Sequence, residues 1–127
     1  MKYFIDSSAW IEYFGGSHSG EKVNEIIMDE ENEIFVITIN IGEVISFLKR
    51  ENKNIETAYE SIIKRAKIFE ITPRIAKEAG ILHAEKRKNK STISLADSLI
   101  ICSANAIKAK IVSKDNHFKD VKEAIMI

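Results

Sequence analysis

Asp6, Glu43, Asp97 and Asp115 are far apart in the chain, yet each stands where a short apolar run ends or a helical pattern begins. One carboxylate at a strand end is commonplace. Four arriving at one edge of a parallel sheet would form a set of hard oxygen donors, the ligand type that suits Mg²⁺ or Mn²⁺. Such a set also demands compensation. Two carboxylates about 5 Å apart repel by roughly 3 kcal/mol at an effective dielectric of about 20, so a cluster of them holds a cation or shares protons.

The elements that must position these acids are legible as an alternation. Short apolar runs at 3–5, 34–37, 68–71, 111–112 and 125–127 are rich in β-formers and mostly lack polar alternation, as expected of strands covered on both faces. Helical patterns fill the gaps, so the order favours a parallel sheet between helices, an α/β fold. Ser7 or Ser8 can cap a first helix carrying Trp10, Ile11, Tyr13 and Phe14, and a second spans about 21–30. Asn40 can cap a third with Val44, Phe47 and Leu48 at helical spacing, and 55–66 forms a fourth. Thr72-Pro73 is a strong helix start, with proline where its missing N–H costs nothing. Ser94 opens a last helix through Leu95, Leu99 and Cys102. Asp6, Glu43 and Asp115 then map to carboxyl ends of strands, where ligands bind in open α/β sheets. Asp97 arrives from the opposite direction, at the start of the helix leading into the fourth strand.

Each acid also has a structural use available. Asn40 to Glu43 and Ser94 to Asp97 both have capping-box spacing, in which the third helical residue folds back onto the N-cap amide. Asp6 suits an N-cap, and Asp115 within Lys114-Asp115-Asn116-His117 suits a solvated turn. The functional case rests on the set. Other chemistries fit less well. Gly15-Gly16-Ser17-His18-Ser19-Gly20 lacks the Gly-Lys-Ser/Thr ending of a phosphate loop and is expected to be a mobile connector. No G-x-S-x-G elbow is present, and His18, His83 and His117 share no metal-ligand spacing, which makes each a surface or packing residue.

At 127 residues the chain has room for one domain, 1–127, burying roughly two-thirds of the surface its unfolded form exposes. Its 45% apolar and 30% charged residues describe an ordinary globular chain. The apolar start is too short for a signal peptide and no run approaches a membrane span, so a cytoplasmic protein without membrane contact is expected. Cys102 is the only cysteine, which excludes an intrachain disulfide and a cysteine zinc cluster. A net charge of zero argues against a uniformly basic nucleic-acid coat. Carboxylates committed to one pocket would nevertheless mask a basic surface elsewhere, and Lys86-Arg87-Lys88-Asn89-Lys90 is the densest basic run.

Taken together, Phe4-Ile5-Asp6-Ser7-Ser8-Ala9-Trp10-Ile11, the Glu43 helix, Ser94-Leu95-Ala96-Asp97-Ser98-Leu99-Ile100 and Val112-Ser113-Lys114-Asp115-Asn116-His117-Phe118 resemble the PIN-domain nucleases, and within them most closely the VapC-type toxins of toxin–antitoxin pairs. The resemblance spans almost the whole chain. It implies a three-layer α/β/α sandwich around a five-stranded, mainly parallel sheet of order 3-2-1-4-5. It also implies that the helix carrying Asp97 brings that acid into the pocket. Asp6, Glu43 and Asp97 match the three core catalytic and metal-binding acids, and Asp115 the more variable fourth. Ser7 and Ser113 match supporting hydrogen-bonding positions, Ser113 replacing a more usual threonine. Gly42 beside Glu43 is an unusual choice near a helix start.

The activity implied is Mg²⁺- or Mn²⁺-dependent hydrolysis of RNA phosphodiesters, leaving a 5′-phosphate and a 3′-hydroxyl. Lys86, Arg87, Lys88 and Lys90 are candidates for holding flanking phosphates, since an acidic pocket repels a polyanion unless cations surround it. The resemblance further implies a homodimer and a separately encoded antitoxin, for which Trp10, Ile11, Phe14 and Phe47 could form a groove. The competing expectation is a non-catalytic PIN-like module that binds RNA or protein and uses its acids only as caps.

Overall fold

The computed structural model describes residues 1–127. Five strands, β1 (Lys2–Ile5), β2 (Glu33–Val36), β3 (Lys67–Ile68), β4 (Lys110–Ser113) and β5 (Ala124–Met126), form one sheet of order β3-β2-β1-β4-β5. All four pairings are parallel; Tyr3 of β1 lies opposite Ile34 of β2 and Lys110 of β4. Six helices connect them: α1 (Ser7–Gly15), α2 (His18–Met28), α3 (Thr38–Arg50), α4 (Ile55–Arg65), α5 (Pro73–Lys88) and α6 (Leu95–Ile107).

The two faces of the sheet explain the layers. Successive strand residues point to opposite faces, and in the central strands both directions are buried. Ile5 and Val112 face Trp10 of α1, Val23 of α2, Leu48 of α3 and Ile62 of α4. Phe4 and Ile111 face the other way, onto Ile100, Ile101 and Ala104 of α6 together with Phe118. α5 packs on α6 through Ile75, Ala79 and Cys102. Apolar side chains therefore drive helices onto both faces, which yields the α/β/α sandwich expected from the sequence.

Several boundaries differ from expectation. β3 is two exposed residues at the sheet edge rather than 68–71. Phe69 still donates its N–H to the Val36 carbonyl (2.8 Å), but its ring turns in to pack edge-on against Phe4 at 5.4 Å, and the chain leaves the sheet. α3 begins at Thr38 with Ile37 at the N-cap, so Asn40 lies within the first turn and does not cap it. α1 has Asp6, not Ser7 or Ser8, at its N-cap.

The glycine-rich stretch is a tight junction rather than a mobile connector. Gly16 ends α1 in left-handed backbone (φ 66°), and the Ser17 hydroxyl accepts from the Gly20 N–H at 3.0 Å to start α2. Gly20 then sits so close to α1 that a Cβ there would lie 2.1 Å from the Glu12 carbonyl oxygen. No helix is long and apolar enough to cross a membrane.

Candidate metal centre

β1 and β4 are neighbours, and both end at the carboxyl edge of the sheet. The Asp6 N–H continues their ladder by donating to the Val112 carbonyl at 3.0 Å, which places Asp6 beside Ser113. The Asp6 carbonyl accepts from Ala9 and Trp10 to begin α1, while its side chain makes no N-cap hydrogen bond. Asp6 Oδ2 accepts hydrogen bonds from Ser8 and Ser113, each at 2.9 Å. Asp6 is 3% exposed. Burial raises its pKa from 3.8 to about 6; the two hydroxyl hydrogen bonds oppose that rise, and the negative charge of Asp97 adds to it.

The supporting hydroxyls differ in part from expectation. Ser8, not Ser7, donates its side chain to Asp6, because the second residue of α1 points back over the strand end. Ser8 also accepts from the Lys114 N–H at 3.0 Å and lies 3.2 Å from the Ser113 hydroxyl. Ser113 accepts from the Asp115 N–H at 2.9 Å. Lys114 adds an ion pair to Glu12 of α1. The first and fourth acidic positions are thereby tied together through two serines.

Asp97 lies at the third position of α6 and completes a capping box. Its N–H donates to the Ser94 hydroxyl at 3.0 Å, and its Oδ2 accepts from the Ser94 N–H at 3.2 Å. The same Oδ2 lies 3.2 Å from His117 Nδ1, so capping and presentation at the cluster are compatible roles. Asp115 forms a local turn in which its Oδ1 accepts from the His117 N–H at 2.9 Å. The His117 ring then folds back, with Nδ1 at 3.2 Å from that oxygen and Nε2 at 2.8 Å from the Thr92 hydroxyl. One ligand atom from each of Asp97, Asp115 and His117 lies within 4.8 Å of the others.

His117, expected to be a surface or packing residue, is thus part of the acidic cluster. The local signal for it was Asp115-x-His117, a spacing at which an aspartate turn aims the following ring back at the carboxylate. Thr92 carried no such signal.

Glu43 sits one helix away. With α3 starting at Thr38, it falls in the second turn rather than the first, and it is exposed. The buried Asn40 amide donates to Glu43 Oε1 at 2.8 Å, which holds the carboxylate in place. Asn40 Oδ1 is itself buried without a partner. Glu43 lines a depression with Ile11, Ile39, Gly42, Phe47 and Arg50. The structure gathers Asp97, Asp115 and His117, sets Asp6 close enough for the charge of Asp97 to act on it, and leaves Glu43 on the flanking helix α3.

The basic run forms the end of α5: Lys86, Arg87 and Lys88 lie in its last turn, and Lys90 follows in left-handed backbone (φ 63°). Two residues later the chain reaches Thr92 and the cluster. Of the four residues considered for a groove, Trp10 is fully buried and belongs to the core. Ile11, Phe14 and Phe47 are partly exposed and line a groove of about 620 Å³ among α1, α3 and α4.

The donor set fits a divalent cation. Two carboxylates, Asp97 and Asp115, and the His117 imidazole converge within 4.8 Å, and the Asp6 carboxyl, raised chiefly by burial, is close enough for the charge of Asp97 to add to that rise.

Comparison with known proteins agrees with this geometry. The PIN-domain family model matches residues 3–124. Ribonuclease VapC11 of Mycobacterium tuberculosis is 29% identical over 118 residues, covering 90% of this chain and 87% of that protein. Among solved structures, VapBC2 of Rickettsia felis bound to a promoter DNA fragment superimposes with a TM-score of 0.75 at 18% identity, covering 100% of this chain and 98% of that one. Mycobacterium tuberculosis VapC20, a toxin that cleaves the sarcin–ricin loop, superimposes with a TM-score of 0.71 at 13% identity, covering 98% of each chain. The order β3-β2-β1-β4-β5, the acidic carboxyl edge and a family match across nearly the whole length lead to one conclusion: this chain belongs to the PIN-domain family.

Proposed function

We propose that the 127-residue chain acts as one catalytic unit, a divalent-cation-dependent endoribonuclease that serves as the toxin of a type II toxin–antitoxin pair. The observation that carries this reading is the meeting of Asp6 from β1, Asp97 from α6 and Asp115 after β4 at the carboxyl edge of the sheet. Relatives named as VapC ribonucleases support the choice of RNA.

In this reading Asp6, Asp97 and Asp115 hold Mg²⁺ or Mn²⁺, with Glu43 completing the acidic edge. When bound, the cation supplies an acidified water as nucleophile and offsets charge developing on the scissile phosphate. Ser8 and Ser113 fix one oxygen of Asp6 through their hydroxyls. Ser7, expected with Ser113 to give supporting hydrogen bonds, reaches the Asp6 carboxyl through its backbone N–H. Asn40 orients Glu43. Lys86, Arg87, Lys88 and Lys90 bind flanking phosphates without reading bases.

The cognate antitoxin covers the site, using the groove lined by Ile11, Phe14 and Phe47 for its apolar anchors. The toxin works in the cytoplasm as a homodimer. The structural neighbours in VapBC complexes support the antitoxin assignment.

A second reading has its own observation: Asp97 and Asp115 both satisfy local backbone groups, as acids kept only for capping would. One experiment separates the two. Purified protein and Asp97→Asn are incubated with structured RNAs in Mn²⁺, Mg²⁺ or EDTA. Metal-dependent cleavage lost in the variant supports the nuclease. Absence of cleavage, together with a melting temperature blind to metal, supports the non-catalytic module.

A further inference from the structure

We propose that His117 is a direct ligand of the cation, so that the centre is a mixed nitrogen–oxygen site that selects Mn²⁺ over Mg²⁺. The inference rests on the metal-centre reading above and assigns a ligand beyond its acids. His117 Nδ1 lies 3.2 Å from Asp97 Oδ2 and 3.2 Å from Asp115 Oδ1. An octahedral divalent cation about 2.1 Å from each ligand separates neighbouring donors by roughly 3.0 Å. Two edges of the set therefore already have nearly the spacing of one coordination face, and the three atoms together span no more than 4.8 Å.

The far side of the ring provides the second observation. Thr92 Oγ1 is 2.8 Å from His117 Nε2. A metal-bound histidine normally gives its other N–H to a hydrogen-bond acceptor, which fixes both ring orientation and tautomer. With Nε2–H donated to Thr92, the Nδ1 lone pair faces two carboxylate oxygens, an arrangement that is repulsive until a cation lies between them.

All three donors are held by local backbone contacts, Asp97 through its capping box and Asp115 and His117 through their shared turn. The site is therefore substantially organised before metal arrives. An imidazole among carboxylates favours a first-row transition ion, whereas Mg²⁺ prefers oxygen and readily keeps a water at that position.

The test uses the full chain stripped of metal. Mn²⁺ binding is followed by the EPR signal of the free ion, Mg²⁺ by competition, and ligation by ¹⁴N modulation of the bound Mn²⁺ echo. The expected result is ¹⁴N coupling in the wild type that disappears in His117→Phe. The variant should lose about tenfold or more in Mn²⁺ affinity and less than about threefold for Mg²⁺. His117 is exposed, so the variant should fold, and its circular dichroism checks this. Mn²⁺ bound without ¹⁴N coupling overturns the ligand assignment while leaving the acidic centre intact. Equal weakening for both ions also overturns it and reduces His117 to a positioning residue. A wild type that binds no Mn²⁺ overturns the metal-centre reading and this inference with it.

Discussion

Asp6→Asn should stabilise the metal-free protein at alkaline pH and leave it unchanged at acid pH. Burial raises the Asp6 carboxyl from 3.8 to about 6. Between those values the folded state binds more protons than the unfolded state, so the contribution of Asp6 to stability falls as pH rises through that window. Its cost is fully developed above about pH 6 and absent below about pH 4. At about 1.36 kcal/mol per pH unit, the gap between 3.8 and about 6 corresponds to about 3 kcal/mol.

Asparagine resembles the neutral carboxylic acid, and its carbonyl oxygen can accept the same hydrogen bonds from Ser8 and Ser113. Its amide needs a new acceptor, so the net gain at pH 8 should be about 1–3 kcal/mol, and at pH 4 under about 0.5. Urea unfolding of both proteins in EDTA across this range measures the difference, and comparison at each pH cancels the other titrating groups. A pH-independent difference, or a variant less stable than the wild type at pH 8, would refute the reasoning. Added Mn²⁺ should reverse the ranking, since the wild type gains binding free energy that the variant largely lacks.

Other outcomes follow from packing and charge. Gly20→Ala should destabilise by more than about 2 kcal/mol in thermal or urea unfolding, because its Cβ would strike the Glu12 backbone. Gly42→Ala, with open space around it in α3, should stabilise by about 0.5–1 kcal/mol in the same assay. Neutralising Lys86, Arg87, Lys88 and Lys90 together should weaken binding of single-stranded RNA and flatten its log–log salt slope by up to about 2.8, and an unchanged slope excludes them as phosphate contacts. Phe4→Ala should cost about 3–5 kcal/mol, since Phe4 is fully buried between β1 and the α5/α6 layer.

What the sequence determined by itself was local. Element order, the Thr72-Pro73 start of α5 and the Ser94–Asp97 capping box depend on residues within one or two turns of each other, and these were legible without coordinates. The parallel sheet was legible too, because uninterrupted apolar runs can be strands only if both faces are covered.

Boundaries that depended on more distant packing were not. Asn40 has capping chemistry, yet β2 ends early enough that Ile37 takes the N-cap and carries Glu43 into the second turn. Phe69 and Ile71 have strand propensity, but their burial beneath α5 and α6 takes them out of the sheet. Gly20 looked like a loop residue and is instead where α2 meets α1.

Only the tertiary structure decided the cluster. Ser113 reaches Asp6 across 107 residues, and Ser8 rather than Ser7 joins it. Both follow from the adjacency of β1 and β4, which is set by which faces the helices bury. Asp97 enters from the amino end of α6, so the polarity of the sheet could not place it. His117 joined the cluster because a local turn carried its ring to a carboxylate on another helix. Periodicity and capping act within a few residues and can be read along the chain. A site assembled from four separate segments depends on strand order and helix docking, and these emerge only when the whole apolar surface is buried at once.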